Sequence, residues 1–278
     1  MLTPFSILLV LSAAFMHASW NALLRGGADR AQSMAIMNAT LGIAGVVLLL
    51  MAGLPATASW AYVVASGVLH WIYVGLLVVT YRSGDLGETY PVARGSSPAL
   101  VALGGSLIAG EWINLIGTIG IGLVCAGIFM LAAAKGRLRQ MNLPAALATG
   151  VSIAAYTVVD GLGVRVSGNW LGYTAAVFAF SIVVPLWFLT ESGTAYFNAS
   201  AGEIAKAVGG GVISFLAYGA IIWAMQVSPM GAVSALRETS VVFAALLGTI
   251  FLNERLTGWR IAACCIIAAG AACVGWRF

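Results

Sequence analysis

Charge is what this sequence lacks most. Thirteen Lys/Arg and nine Asp/Glu are spread over 278 residues, 8% of the chain, where soluble domains carry about 25%. Apolar residues make up 61% and the mean hydropathy is +1.00. No aqueous core absorbs that much apolar sequence, and most segments have no polar face for water, so lipid is the expected solvent. Histidine is nearly absent too: His17 and His70 lie far apart and neither is near a cysteine. The four cysteines (Cys125, Cys264, Cys265, Cys273) fall inside apolar runs, where cysteine reads as a small hydrophobe. Metal-ligand spacing is therefore missing, and no cofactor is expected. P-loop, G-x-S-x-G and H-E-x-x-H motifs are missing as well, which argues against an ATP-driven pump and the commoner membrane hydrolases. The small excess of positive charge, net +4, needs no nucleic acid to explain it.

What is present is a series of apolar runs. A bilayer core of about 30 Å takes about 20 helical residues. Polar, Gly and Pro breaks divide the chain into ten spans, near residues 4–25, 31–53, 58–81, 86–109, 112–133, 143–164, 170–190, 203–226, 229–252 and 257–276. The N-terminal run has no basic n-region and is long enough to cross, so it reads as the first span, not a cleaved signal. Of two Asn-x-Ser/Thr matches, Asn38 and Asn198, the first falls inside a span.

A shift of 143 positions lays Arg94 on Arg237, Ser97 on Ser240, Gly105 on Gly248 and Glu111 on Glu254 without a gap. Apolar matches are cheap in such a chain, whereas two arginines and two glutamates in register are not. The fold class expected is all-α integral membrane: ten transmembrane helices as a 5+5 inverted repeat, with residues 1–134 and 143–278 as its halves. Five spans is an odd number, so the second half enters from the opposite side, which permits alternating access. Nine of the thirteen Lys/Arg lie at odd-numbered connections. The positive-inside rule then puts those connections in the cytoplasm and both termini outside.

Arg94 and Arg237 sit eight or nine residues into spans four and nine, about 13 Å deep. A midplane arginine costs about 2.5–3.5 kcal/mol and usually faces a cavity or a partner. The pair suggests a clamp for a carboxylate or phosphate; alternatively Arg237 pairs with Glu238, or each arginine ties down carbonyls. Tyr90, Arg94 and Ser97 share a face at i, i+4 and i+7. Pro91 and Pro98 interrupt that helix's ladder, whereas the second repeat has Val241-Val242 where the first has Pro98-Ala99, so a proline-dependent break is expected in the first half alone. Glu238 is a candidate for proton coupling or for an ion pair, with His17 and Asp160 as further relay candidates. His17, Trp20 and Asn21 fall within one turn; Trp20, Tyr73, Tyr156, Tyr218 and Trp223 can furnish an aromatic wall for an apolar or cationic moiety. Asp85-x-x-Glu88 reads as a capping box, and Ser228-Pro229 as an N-cap followed by Pro at the first helical position. Gly117, Gly120 and Gly127 read as close helix contacts.

The repeat ends, ArgGlySerSerProAlaLeuValAla…AlaGlyGluTrp (94–112) and ArgGluThrSerValValPheAlaAla…LeuAsnGluArgLeu (237–256), with HisAlaSerTrpAsnAlaLeu (17–23), resemble the EamA type of the drug/metabolite transporter superfamily. The resemblance implies a secondary transporter, often an exporter, in a cytoplasmic membrane. It also implies a signature role at helix ends or in gating for Glu111 and Glu254. The expected partners are a small-molecule substrate and the bilayer, with the chain a monomer or homodimer. The leading expectation is a carrier of an anionic or zwitterionic metabolite held at Arg94, Arg237, Tyr90, Ser97, Ser240, Trp20, Asn21, Tyr73, Tyr156 and Tyr218. Its rivals are a proton-coupled exporter of aromatic or cationic compounds, and a membrane-embedded enzyme acting on lipid with His17 or His70 as base.

Overall fold

The computed structural model describes residues 2–24, 30–82, 86–133, 143–193, 198–252 and 257–276. Ten helical stretches are long and apolar enough to cross a membrane, and no strand occurs among the described residues. In the first half they are α1 (Pro4–Leu24), α2 (Arg30–Ala52), α3 (Trp60–Arg82), α4 (Leu86–Ala109) and α5 (Leu115–Ala133). In the second, α6 (Leu143–Val166) is followed by a seventh span made of α7 (Trp170–Ala179), a 3-10 turn and α8 (Val183–Ser192). Then come α9 (Ala201–Val227), a ninth span made of α10 (Met230–Arg237) and α11 (Ser240–Leu252), and α12 (Gly258–Gly275). Side chains facing lipid, such as Leu50, Leu107 and Phe251, are exposed, because hydrocarbon solvates them as well as a protein core does.

The inverted repeat is visible in the packing. α3 packs on α6 as α1 packs on α9, and α4 on α6 as α11 on α1. At the α5–α12 crossing, a Cβ at Gly120 would sit 2.7 Å from the Gly270 carbonyl, and one at Gly127 would sit 3.0 Å from the Ala263 carbonyl. Gly270 is the 143-residue mate of Gly127, and Ala263 that of Gly120. Each position therefore meets the mate of the other, the reciprocal contact that a two-fold axis requires. Only glycine lets these backbones approach so closely.

Two local expectations are corrected. The helix break lies in the second half: α4 runs unbroken, whereas the ninth span stops at Glu238 and Thr239. Pro98 has no N–H for the Arg94 carbonyl, and the Ser97 hydroxyl donates to that oxygen instead (3.2 Å), so the ladder is mended within the helix. At the ninth span Glu238 and Thr239 donate to carbonyls three residues back, as do Val241 and Val242, a 3-10 tightening at a polar, β-branched stretch. Second, Ser228 ends α9 and Pro229 takes the N-cap position of α10, with no side-chain cap from either. The Met230 N–H is capped from afar by Glu111 Oε2 (2.8 Å). Asp85 and Glu88, read as a capping box, lie outside the described residues or side chains. Ser200 and Glu203 form such a box at the start of α9.

Candidate functional site

The break in the ninth span faces α4. Arg94 Nε donates to Glu238 Oε2 (2.7 Å) and Nη2 donates to Ser240 Oγ (3.0 Å). Residues two apart on a continuous helix do not face one another, so the break lets Glu238 and Ser240 converge on one guanidinium. Nη1 lies 2.7 Å from His17 Nε2 on α1. A guanidinium has no acceptor, so His17 Nε2 accepts, and the ring hydrogen is on Nδ1 if the ring is neutral. Trp20 packs edge-on against His17 (5.0 Å between centroids), while the Asn21 amide donates to the His17 carbonyl of its own helix. Glu238 is fully buried and Arg94 only 6% exposed. Such a pair is expensive to desolvate and expensive to break.

Arg237 differs from its repeat mate. It is 7% exposed, and its nearest acid contact is a 3.7 Å approach of Nε to Glu238 Oε1. Both of those atoms are buried without a hydrogen-bond partner, as is Trp20 Nε1, among the described residues. Tyr156 and Tyr218 stand close enough to act on the Arg237 charge. Two arginines against one carboxylate leave a positive charge uncompensated among the described residues, beside an aromatic wall.

That wall is continuous. His70 stacks on Tyr156 (4.1 Å, 27°) and meets Tyr218 edge-on (5.7 Å). Tyr73 and Tyr218 each meet the Tyr156 ring edge-on, at 5.7 and 6.1 Å. Behind it, Asp160 of α6 is fully buried. Tyr173 donates to its Oδ1 (3.1 Å) and Tyr218 donates to its Oδ2. His70 Nδ1 lies 2.9 Å from the Ser66 carbonyl and 3.2 Å from the Ser66 hydroxyl.

Away from the centre, Glu111 joins four helix ends. Gly110, at φ +63°, turns the chain at the end of α4, and Gly105 leaves room for the carboxylate, since a Cβ there would lie 2.7 Å from Glu111 Oε2. Glu111 Oε1 accepts from Arg165 Nη2, at the end of α6. Arg165 also donates to the Met225 and Ser228 carbonyls (3.0 and 2.9 Å) at the end of α9.

The structure thus gathers Arg94, Arg237, Glu238, Ser240, His17 and Trp20 in one cluster, and Tyr73, Tyr156, Tyr218 and Asp160 in an adjoining one. Ser97 and Asn21 bond to their own helices. The Tyr90 side chain and Glu254 lie outside what is described. Sequence reasoning missed Tyr173 as a partner of Asp160, and had His70 only as an enzymatic base. No spacing links either to Asp160; a polar residue deep in an apolar span was the one available signal.

Ten spans in an inverted repeat, with buried charge at the helix break and an aromatic wall beside it, define a multi-pass membrane protein of transporter architecture. The EamA-like transporter family model matches residues 4–133 and 141–276, and the chain belongs to that family, a family of membrane transporters in the drug/metabolite transporter superfamily. One solved crystal structure superposes with a TM-score of 0.74 over 98% of each chain at 21% identity, a likeness of fold. No curated protein matches the sequence.

Proposed function

We propose that the chain is a secondary-active carrier that exports a small anionic or zwitterionic metabolite, such as an amino-acid-like compound, by alternating access at the midplane. The supporting observation is Arg237: it is buried, yet its Nε has no hydrogen-bond partner among the described residues and stands 3.7 Å from Glu238 Oε1. A substrate carboxylate or phosphate would complete it with charge-assisted bonds. Arg94 is engaged by Glu238, Ser240 and His17, so its part is to hold Glu238 in place beside Arg237. Tyr73, Tyr156, Tyr218 and His70 would take the organic remainder, which suits an aromatic or amine-bearing body. With odd connections cytoplasmic, the Glu111–Arg165 tie lies on the outer face and holds it closed.

Uptake into proteoliposomes of an aromatic amino acid, the matching acid without the amine and the matching amine without the acid tests this reading. The wild type should carry the two carboxylates, and Arg237→Gln should slow both by about tenfold or more, the worth of a lost charged hydrogen bond. Carboxylate transport unchanged in Arg237→Gln would overturn the proposal. Transport of the amine alone would favour the rival, an exporter of aromatic cations, for which the tyrosine wall and Asp160 are the motivating features.

A further inference from the structure

Energy must come from somewhere, and the buried acids are not equal candidates. Glu238 is held by Arg94 at 2.7 Å and approached by Arg237 at 3.7 Å, and protonating it would take from both buried arginines the carboxylate charge they approach. Asp160 has no such partner: among the described residues no arginine, lysine or histidine nitrogen bonds to it. Its surroundings are polar but uncharged or at a remove. From α3 come His70, close enough to act on its charge, and Ser66, within hydrogen-bonding reach. From α7 comes Tyr173, from α9 Tyr218. Tyr62 of α3 adjoins Tyr173. Arg237 of α10 acts on Tyr218, and Tyr156 and Arg165 are the other titratable groups on α6, the helix of Asp160. Arg94, on α4 against α6, is engaged elsewhere.

We propose that Asp160 binds and releases the coupling proton, so that the carrier exchanges its substrate against protons through a cluster of Asp160, Tyr218, Tyr173 and His70. The inference rests on the chain being a carrier with its substrate beside Arg237. Both carboxylate oxygens already accept phenol hydrogens and the side chain is fully buried. A substrate ammonium could reach it only by dismantling that arrangement, whereas a proton needs no room. The step is a proton transfer with no change of oxidation state: a hydronium ion on one face gives its proton to Oδ2, its own O–H bond breaking as the new one forms, and Oδ2 later returns the proton to water on the other face. While Asp160 is ionised, the Tyr218 hydroxyl donates to it. Once Oδ2 is protonated, Asp160 donates and Tyr218 Oη accepts, turning the phenol hydrogen away from Asp160 on a ring that Arg237 is close enough to act on. Protonation thereby changes the hydrogen-bonding face offered to substrate. His70, whose Nδ1 faces the Ser66 carbonyl (2.9 Å) and so carries a hydrogen, has Nε2 as the nitrogen to pass protons to and from the cluster.

The test uses purified full-length protein in proteoliposomes with an internal pH dye, with the amino acid, acid and amine named above as probes. Wild type should accumulate its substrate under an imposed pH gradient and move protons with it. Asp160→Asn should lose both, while keeping gradient-free exchange of labelled for unlabelled substrate. Tyr218→Phe should keep proton binding but weaken the coupling. Gradient-driven accumulation intact in Asp160→Asn, or lost only in Glu238→Gln, would overturn the assignment. Infrared difference spectra across pH, recorded without substrate, give an independent readout: a protonated-carboxyl band present in wild type and missing in Asp160→Asn supports the proposal, and one unchanged by the substitution sinks it. Failure of the carrier reading is distinguishable, because wild type would then exchange none of the three probes even without a gradient.

Discussion

His17 and Asp160 stand 143 positions apart, the offset that relates Arg94 to Arg237 and Ser97 to Ser240, yet the two repeats surround them differently. His17 is drawn into a charged network through Arg94, whose guanidinium also engages Glu238 and Ser240. Asp160 is held by the phenols of Tyr173 and Tyr218. The position matching Glu238 in the first repeat is Gly95, so the acid that balances the arginines exists once. Helix packing obeys the two-fold axis, as Gly120, Gly127 and Gly270 show, while the polar centre departs from it. A symmetric scaffold lets the carrier have two related conformations, and asymmetric chemistry at its centre is what can make one substrate and one ion matter.

The comparison can be broken most severely at Glu238. Glu238→Ala strands Arg94 and Arg237 in the interior and should cost about 3–5 kcal/mol, read as a large fall in melting temperature and folded yield in detergent; a wild-type melt would mean that the arginines have other support. Gly270→Leu tests the symmetric part. It drives a side chain into the Gly120 backbone and should cost about 1–3 kcal/mol or more, with Gly120→Leu giving a similar loss in the same melt. Glu111→Gln and Arg165→Ala should each cost about 1.5–3 kcal/mol, at the lower end because the Arg165 side chain is 28% exposed. The double variant should lose little more than either single one, and additive losses would show that the two act separately. Smallest of all, Asp160→Asn keeps hydrogen-bonding capacity among neutral donors and should melt within about 1 kcal/mol of wild type. A loss as large as that of Glu238→Ala would place the two acids in the same structural class and erase the contrast.

Much of this architecture was legible from residues. Ten apolar runs were legible because a bilayer leaves few alternatives to helix. The inverted repeat showed through because rare charges in register carry more information than abundant Ala, Leu and Gly. Arg94, Arg237 and Glu238 announced themselves as polar groups in apolar spans. The helix break was misassigned: proline marks a missing N–H, but Ser97 repaired the ladder at Pro98, and the break formed where Glu238 and Ser240 had a guanidinium to meet. The same reasoning put the α10 cap on Ser228, because a cap supplied by Glu111 from another repeat leaves no local trace.

What the sequence alone determined, then, is the lipid solvent, the number of crossings and the presence of buried charge, since these follow from composition and period along one chain. Which charge answers which was decided only by the tertiary structure. Whether Arg94 or Arg237 is left with donors to offer, and whether Asp160 meets a cation or a phenol, depends on α1, α3, α4, α7, α9 and α10 meeting in space, where hydrogen bonds act over about 3 Å regardless of separation along the chain.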